Sequence, residues 1–283
     1  MEIMNSEYLN YFISAKKVEG CSSKTMKYYN EIIRKFLDST DKKIKDITTD
    51  DIRRYLSDYR EKSSCSGATI DNFRRVFSSF FAWLEDEDYI VKSPVRRIHR
   101  IKTTDAVKET FTDENIEKMR DYCTNLRDLS IIELFISTGM RVGELVNLDI
   151  SDVNFEDRSC IVLGKGNKQR EVYFDARTKL HLKNYLKERK DNNRALFVSN
   201  KKPHQRLTGQ TVEYLIRTLG KKLEIKKAHP HKFRRTMATM AIDKGMPIEQ
   251  VQKLLGHKKI DTTMHYAMVN QTNVKFSHRK YIG

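Results

Sequence analysis

Cys160-Ile161-Val162-Leu163-Gly164-Lys165-Gly166-Asn167-Lys168-Gln169-Arg170-Glu171-Val172-Tyr173-Phe174 is the stretch that reads as β-structure in a chain otherwise patterned for helices. Two short β-prone runs, 160–163 and 171–174, flank a basic segment rich in Gly and Asn. That layout predicts a hairpin with a basic tip. Such a tip can enter a groove, and either Lys165 or Lys168 could donate a proton there. The expected fold class is mainly α with a small antiparallel β-sheet (α+β).

Upstream of the hairpin the periodicity is helical. Ser22 and Ser23 precede the apolar positions Met26, Tyr29, Ile33, Phe36 and Leu37, which share one helix face. Thr48 with Asp51 three residues later forms a capping-box pattern opening a helix over Ile52–Tyr59. A third stripe, Ile70, Phe73, Phe77, Phe80, Phe81 and Leu84, reads as core, with Arg74 and Arg75 off that face. Pro94 closes this helical region. The basic run Arg96-Arg97-Ile98-His99-Arg100-Ile101-Lys102 follows and reads as extended chain. The expected division is a helical domain over 1–102, a basic linker over 103–110 and a second domain over 111–283.

In the second part, Thr112 caps a helix over Asp113–Cys123, and an apolar helix over Leu129–Ser137 ends at Thr138-Gly139. Beyond the hairpin, helices are expected near 176–190, 208–223, 232–244 and 248–255, with Gly245 and Pro247 separating the last two.

The formal charge is +16, and it is uneven. Residues 1–102 carry 20 basic and 16 acidic side chains, a net of +4, which leaves +12 for the remainder. Between Lys201 and Arg235 there are 11 basic residues against Glu213 and Glu224. A field of this sign attracts polyanions. No apolar run approaches the ~18 residues of a membrane span, and Met1–Glu7 lacks a signal-peptide pattern. A cytoplasmic protein is expected. Cys21, Cys65, Cys123 and Cys160 lie 44, 58 and 37 residues apart, which fits no metal or redox pairing, so reduced thiols are expected.

Five separated segments carry residues suited to phosphoryl transfer. In Thr138-Gly139-Met140-Arg141-Val142-Gly143-Glu144, Arg141 opens a helix and Glu144 can brace it one turn later. The hairpin tip supplies a lysine. In His229-Pro230-His231-Lys232-Phe233-Arg234-Arg235, His231 and Arg234 are three apart at a helix start and can face one phosphate. Leu254-Leu255-Gly256-His257 and Thr262-Thr263-Met264-His265-Tyr266 complete the set. His229, His231, His257 and His265 invite a metal reading, but no H-E-x-x-H or Cys/His pairing accompanies them. Neither a phosphate-binding Walker loop nor a G-x-G-x-x-G helix start is present. No metal and no cofactor is expected.

In order and spacing these segments resemble the tyrosine recombinase family (phage integrases, Xer-type resolvases, Cre) across nearly the whole chain. The family signature of Arg, Lys, His-x-x-Arg, His and Tyr falls here on Arg141, Lys165, His231 with Arg234, His257 and Tyr266. The intervals of 26 residues from His231 to His257 and nine from His257 to Tyr266 are similar to the Xer-like branch. Two positions depart from the usual pattern: Phe233 stands where Leu is common, and Met268 where many relatives have His.

The resemblance implies a two-domain, C-shaped clamp: a SAM-like core-binding domain and a catalytic domain whose tail is exchanged between subunits. It implies cleavage and rejoining of DNA through a 3′-phosphotyrosyl bond of Tyr266, with Lys165 protonating the leaving 5′-oxygen and a Holliday junction between rounds. The implied partner is double-stranded DNA with an inverted-repeat site, bound by a homotetramer that is monomeric when free, with accessory proteins possible. Glu144 supports Arg141, and Arg74, Arg75, Arg96, Arg97, Arg100, Lys168, Arg170 and Arg235 are candidate DNA contacts. By the same resemblance no arm-binding domain is expected ahead of the helical part, and a simple resolvase, invertase or small-element recombinase is the expectation. A type IB topoisomerase-like nicking enzyme and a catalytically silent DNA-binding regulator remain as alternatives on sequence.

Overall fold

The computed structural model describes residues 4–102, 109–164 and 168–267. Lys165, most of the anticipated linker, and everything after Ala267, including Met268, the tail and Tyr281, lie outside the described residues. The chain forms two compact units, Met1–Ala106 and Val107–Gly283.

The first unit is built from α1 (Asn5–Val18), α2 (Ser23–Leu37), α3 (Thr49–Ser63) and α4 (Gly67–Asp86). The Ser22 hydroxyl accepts the Thr25 N–H at the start of α2. Thr48 and Asp51 form a reciprocal capping box at the start of α3, which satisfies two N–H groups that would otherwise lack partners. The aromatic stripe of α4 is fully buried at Phe77, Phe80, Phe81 and Leu84. Phe36 of α2 packs on Phe77 with ring centroids 5.0 Å apart, and Phe12 of α1 on Phe80 at 5.2 Å. Helix α1 was not among the helices expected. Only Leu9 and Phe12 are fully buried on it, and its N-cap is Met4, which makes no side-chain cap bond, so its sequence signal is weak.

The run 96–102 departs from the extended linker anticipated for it. Pro94–Arg97 forms a turn of 3₁₀ helix, and Val95 is buried. The Thr49 hydroxyl donates to the Pro94 carbonyl at 2.7 Å, and the Ile101 N–H donates to Asp71 at 3.1 Å. Ile98 and Ile101 pack on the core. The alternation of apolar and basic residues therefore fastens this segment to the first unit.

The second unit contains α5 (Asp113–Tyr122), α6 (Leu126–Thr138), α7 (Val142–Asn147), a three-stranded sheet, and α8 (Ala176–Glu188), α9 (Gly209–Lys222), α10 (Pro230–Asp243), α11 (Ile248–Leu255) and α12 (Asp261–Ala267). Strands β1 (Val153–Asn154), β2 (Ser159–Leu163) and β3 (Gln169–Tyr173) are antiparallel in that order. The hairpin register pairs Ser159 with Tyr173 and Leu163 with Gln169. Cys160, Val162 and Val172 point into the core while Ile161 and Leu163 are exposed, the alternation of a sheet with one buried face. β1 has two residues, too few for a period to register. Phe233, the unusual position, is wholly buried, tilted against Phe111 at 4.6 Å and stacked on Phe135 at 5.7 Å. All four cysteines are free thiols. No described helix is long and apolar enough to cross a membrane.

Gly139 closes α6 in the left-handed conformation at φ +61°. A β-carbon there would lie 2.2 Å from Met237 Cε. In Gly139→Ala the left-handed backbone alone is expected to cost about 1–2 kcal/mol. A lower urea midpoint at unchanged slope would register it.

Candidate active site

Helix termini of the second unit supply most of the site. Arg141 is the N-cap of α7, placed by the Gly139 turn. Its backbone N–H donates to Glu144 Oε2 at 2.7 Å and its Nη1 to Oε1 at 2.8 Å. The brace anticipated for Glu144 is thus formed. Glu144 has a second cation. Arg170, on β3, donates Nη1 to Oε1 and Nη2 to Oε2, both at 2.7 Å. Burial pushes the Glu144 carboxyl up, but the hydrogen bonds from Arg170 and Arg141 outweigh it and hold its pKa below the usual value.

Arg234 lies in the second turn of α10 and is 2% exposed. Nη1 donates to the Gly139 carbonyl at 2.8 Å and Nη2 to the Leu255 carbonyl. Burial lowers its pKa to about 10, and the charge of Arg141 adds to that. It stays cationic at neutral pH. The charges acting on it include Arg141, Glu144, Arg170 and Tyr266, so those segments converge.

His257 follows Gly256, which ends α11 at φ +64°. Its Nδ1 lies 2.9 Å from the buried Thr263 hydroxyl. Burial, then the charges of Arg234, Arg141 and Arg170, push its pKa down to about 4. It is neutral at pH 7. If Thr263 donates to Nδ1, the proton sits on Nε2, free to donate to a ligand. His231 is exposed at the first turn of α10. Its pKa also lies below the usual value, first through lost hydration and then through Arg234, Arg141 and Arg235, with Glu213 opposing. Tyr266, on α12, is half-buried against Met237, Ala238, Val251 and Leu255, with its ring 6.0 Å from that of His257.

Five of the six residues of the signature therefore meet in one place, and Lys165 lies outside the described residues. The strands that flank it are closed by a Gly164 N–H to Lys168 carbonyl bond of 2.8 Å. Among the candidate DNA contacts, Arg75, Arg96, Arg97, Arg100 and Lys168 are exposed. Arg74 is paired with Asp71 at 2.8 Å. Arg235 donates to the Glu109 carbonyl, and its Nε is buried without a partner. Arg170 is largely buried. Its guanidinium is committed to Glu144 and, through Nε at 2.9 Å, to the Leu254 carbonyl. Thr263 and the carbonyls that seat Arg234 were not anticipated, because nothing in the sequence separates them from ordinary residues. Among the described residues no group of three or more His, Cys, Asp or Glu is placed to hold a metal ion.

The depressed histidines make stability depend on pH. Between pH 6.5 and about 4 an unfolded chain binds a proton at His257 that the folded chain does not. Stability is therefore unaffected by His257 above pH 6.5 and falls as pH drops through that window. Urea unfolding of wild type is expected to show this loss, and His257→Asn a smaller one. Equal losses in both would refute the assignment.

The phage integrase family model matches residues 109–273, and the model for the phage integrase N-terminal SAM-like domain matches 8–90. Tyrosine recombinase XerA of Pyrococcus horikoshii is 31% identical over 276 residues, covering 97% of this chain and 93% of the relative. Tyrosine recombinase XerC of Oceanobacillus iheyensis is 29% identical over 290 residues, covering 96% and 95%. A crystal structure of XerA recombinase, 29% identical, covers 99% of both chains with a TM-score of 0.57. A lambda integrase dimer bound to a core site shares the fold alone, with a TM-score of 0.77 at 21% identity over 93% of this chain and 77% of that one. Matched in both units and along almost its full length, the chain belongs to the phage integrase family and is a tyrosine recombinase of the Xer-like branch.

Proposed function

We propose that the site transfers DNA strands at a specific inverted-repeat sequence through a covalent bond between Tyr266 and a 3′-phosphate. The observation that carries this is the charge balance: three arginines, 141, 170 and 234, surround the single carboxylate of Glu144, beside a phenol and two neutral imidazoles. A cluster with that excess of fixed positive charge is complementary to an anion.

A phosphodiester repels nucleophiles, and the charge on its nonbridging oxygens must be met as attack proceeds. Arg141 and Arg234 fill that role, with a hydrogen bond from His257. Tyr266 attacks phosphorus. A free phenol has a pKa of about 10, so it needs help, and neutral His231 can accept its proton. The bond to the 5′-oxygen breaks, and Lys165, by family resemblance, protonates that oxygen. One phosphoester replaces another, so the step needs no external energy source. Attack by a partner strand's 5′-hydroxyl reverses it on new ends.

Repeating the step on both strands passes through a Holliday junction and requires four copies on two duplexes, assembled from free monomers, with or without accessory proteins. A groove of about 1020 Å³, lined by Ile136, Met237, Met240 and Leu254 together with Asp175 and Lys244, is the seat we assign to a second copy's tail. Action on DNA supports a cytoplasmic location.

Incubation with genomic DNA, denaturation and sequencing of the trapped ends would map the site. Wild type is expected to give a covalent adduct and Tyr266→Phe none. Arg234→Ala is expected to cleave about 10²–10³-fold more slowly. An adduct that survives Tyr266→Phe would sink this reading.

A further inference from the structure

Arg170 lies at the start of β3, paired with Val162 of β2. Its side chain is 12% exposed. One planar guanidinium makes three bonds here: two parallel ones to the carboxylate of Glu144 and one to the carbonyl of Leu254. Its aliphatic stem is covered by Gly256, where an added β-carbon would come 3.0 Å from Arg170 Cδ. The residue therefore joins three pieces of chain: the strand leaving the hairpin tip, the N-terminus of α7 that carries Arg141, and the α11 terminus that precedes His257.

Glu144 receives four N–H groups, two from Arg141 and two from Arg170. That saturates a carboxylate, which has about four acceptor sites. The carboxylate side chain is only 3% exposed, so water cannot replace a lost donor cheaply. With Arg170 removed, Glu144 would keep only the two bonds from Arg141, and its two unfilled buried acceptor sites would draw the Arg141 guanidinium more fully onto the carboxylate. Arg141 now gives Glu144 one guanidinium N–H, by Nη1, and is 33% exposed. A lysine could not substitute, since a single ammonium nitrogen does not span two carboxylate oxygens and a carbonyl in one plane.

We propose that Arg170 is a positioning residue for strand transfer, acting through Glu144 to keep Arg141 aimed at the phosphate, and that it does not contact DNA. The proposal rests on the strand-transfer reading above and goes beyond it by assigning a residue outside the six-residue signature. A misplacement of about 1 Å at a reacting centre is enough for a loss near 10²-fold.

The test uses full-length protein and a nicked duplex carrying the site mapped from trapped DNA. Wild type must first give its adduct, since its absence would mean failure of the strand-transfer reading and not of the role of Arg170. Arg170→Gln and Arg170→Lys are then expected to bind with wild-type Kd and salt slope, within about twofold, and to cleave about 10²-fold more slowly once bound. On a duplex with a methylphosphonate at the scissile position, which carries no charge for an arginine to meet, the deficit is expected to shrink below about tenfold. A salt slope reduced by about one with normal cleavage of the bound complex would make Arg170 a phosphate contact and overturn the proposal. So would a deficit just as large on the methylphosphonate, the mark of general loosening. Should Arg170→Gln fail to fold, the double variant Glu144→Gln/Arg170→Gln removes both buried charges. It is expected to cleave no more slowly than Glu144→Gln alone, and a further loss of about 10²-fold would refute action through Glu144.

Discussion

A single buried carboxylate sets the geometry of this site. Glu144 is held charged in the protein interior by two arginines that reach it from different elements, Arg141 from its own helix start and Arg170 from the sheet. Ion pairs at the surface contribute little to stability, but removing one partner of a buried pair leaves a charge without compensation, at about 3–5 kcal/mol. The observed arrangement of α7, β3 and α11 satisfies the carboxylate with four N–H groups. That arrangement also sets Arg141 at the mouth of the site.

The same charges fix the protonation states that the chemistry can use. His257 sits among Arg234, Arg141 and Arg170 and is half-buried, so both hydration loss and repulsion disfavour its cation. His231 is subject to the same effects more weakly. Two neutral imidazoles beside fixed guanidinium groups divide the labour in a definite way. The arginines provide charge that does not titrate near neutral pH. The histidines provide a donor and an acceptor that do not add to that charge. Had the histidines been protonated, neither could take the phenolic proton.

Much of this was legible in the sequence, and the reasons for the rest are specific. The stripes of α2 and α4, the Thr48–Asp51 capping box and the hairpin register all follow from period and capping chemistry, which act locally. Arg141 with Glu144 was also readable, being one helical turn apart. Arg170 was not. A guanidinium that meets a phosphate and one that neutralises a carboxylate have the same composition, and the carboxylate in question is 26 residues away. Thr263 was equally silent, one of two adjacent threonines, distinguished only by the His257 ring above it. Helix α1 and the segment 96–102 were misjudged because their few apolar residues are decided by what lies opposite them, Phe80 and Trp83 for Phe12 and the α4 surface for Ile101.

Arg234 illustrates how the fold keeps a cation available for a ligand. A buried arginine ordinarily demands a carboxylate, and the pair then has little charge left for anything else. Here two of the five N–H groups go instead to carbonyls at helix C-termini, Gly139 after α6 and Leu255 at the end of α11. Those carbonyls lack partners within their own helices and carry the negative end of the helix dipole, about half an elementary charge each. They hold the guanidinium in place and offset part of its desolvation without neutralising it. Both helices end in a left-handed glycine, Gly139 and Gly256, which turns the chain away immediately and leaves the carbonyls open to the arginine. The glycines, which look like mere helix stops, are therefore what allows a fully buried cation to keep most of its charge for a phosphate.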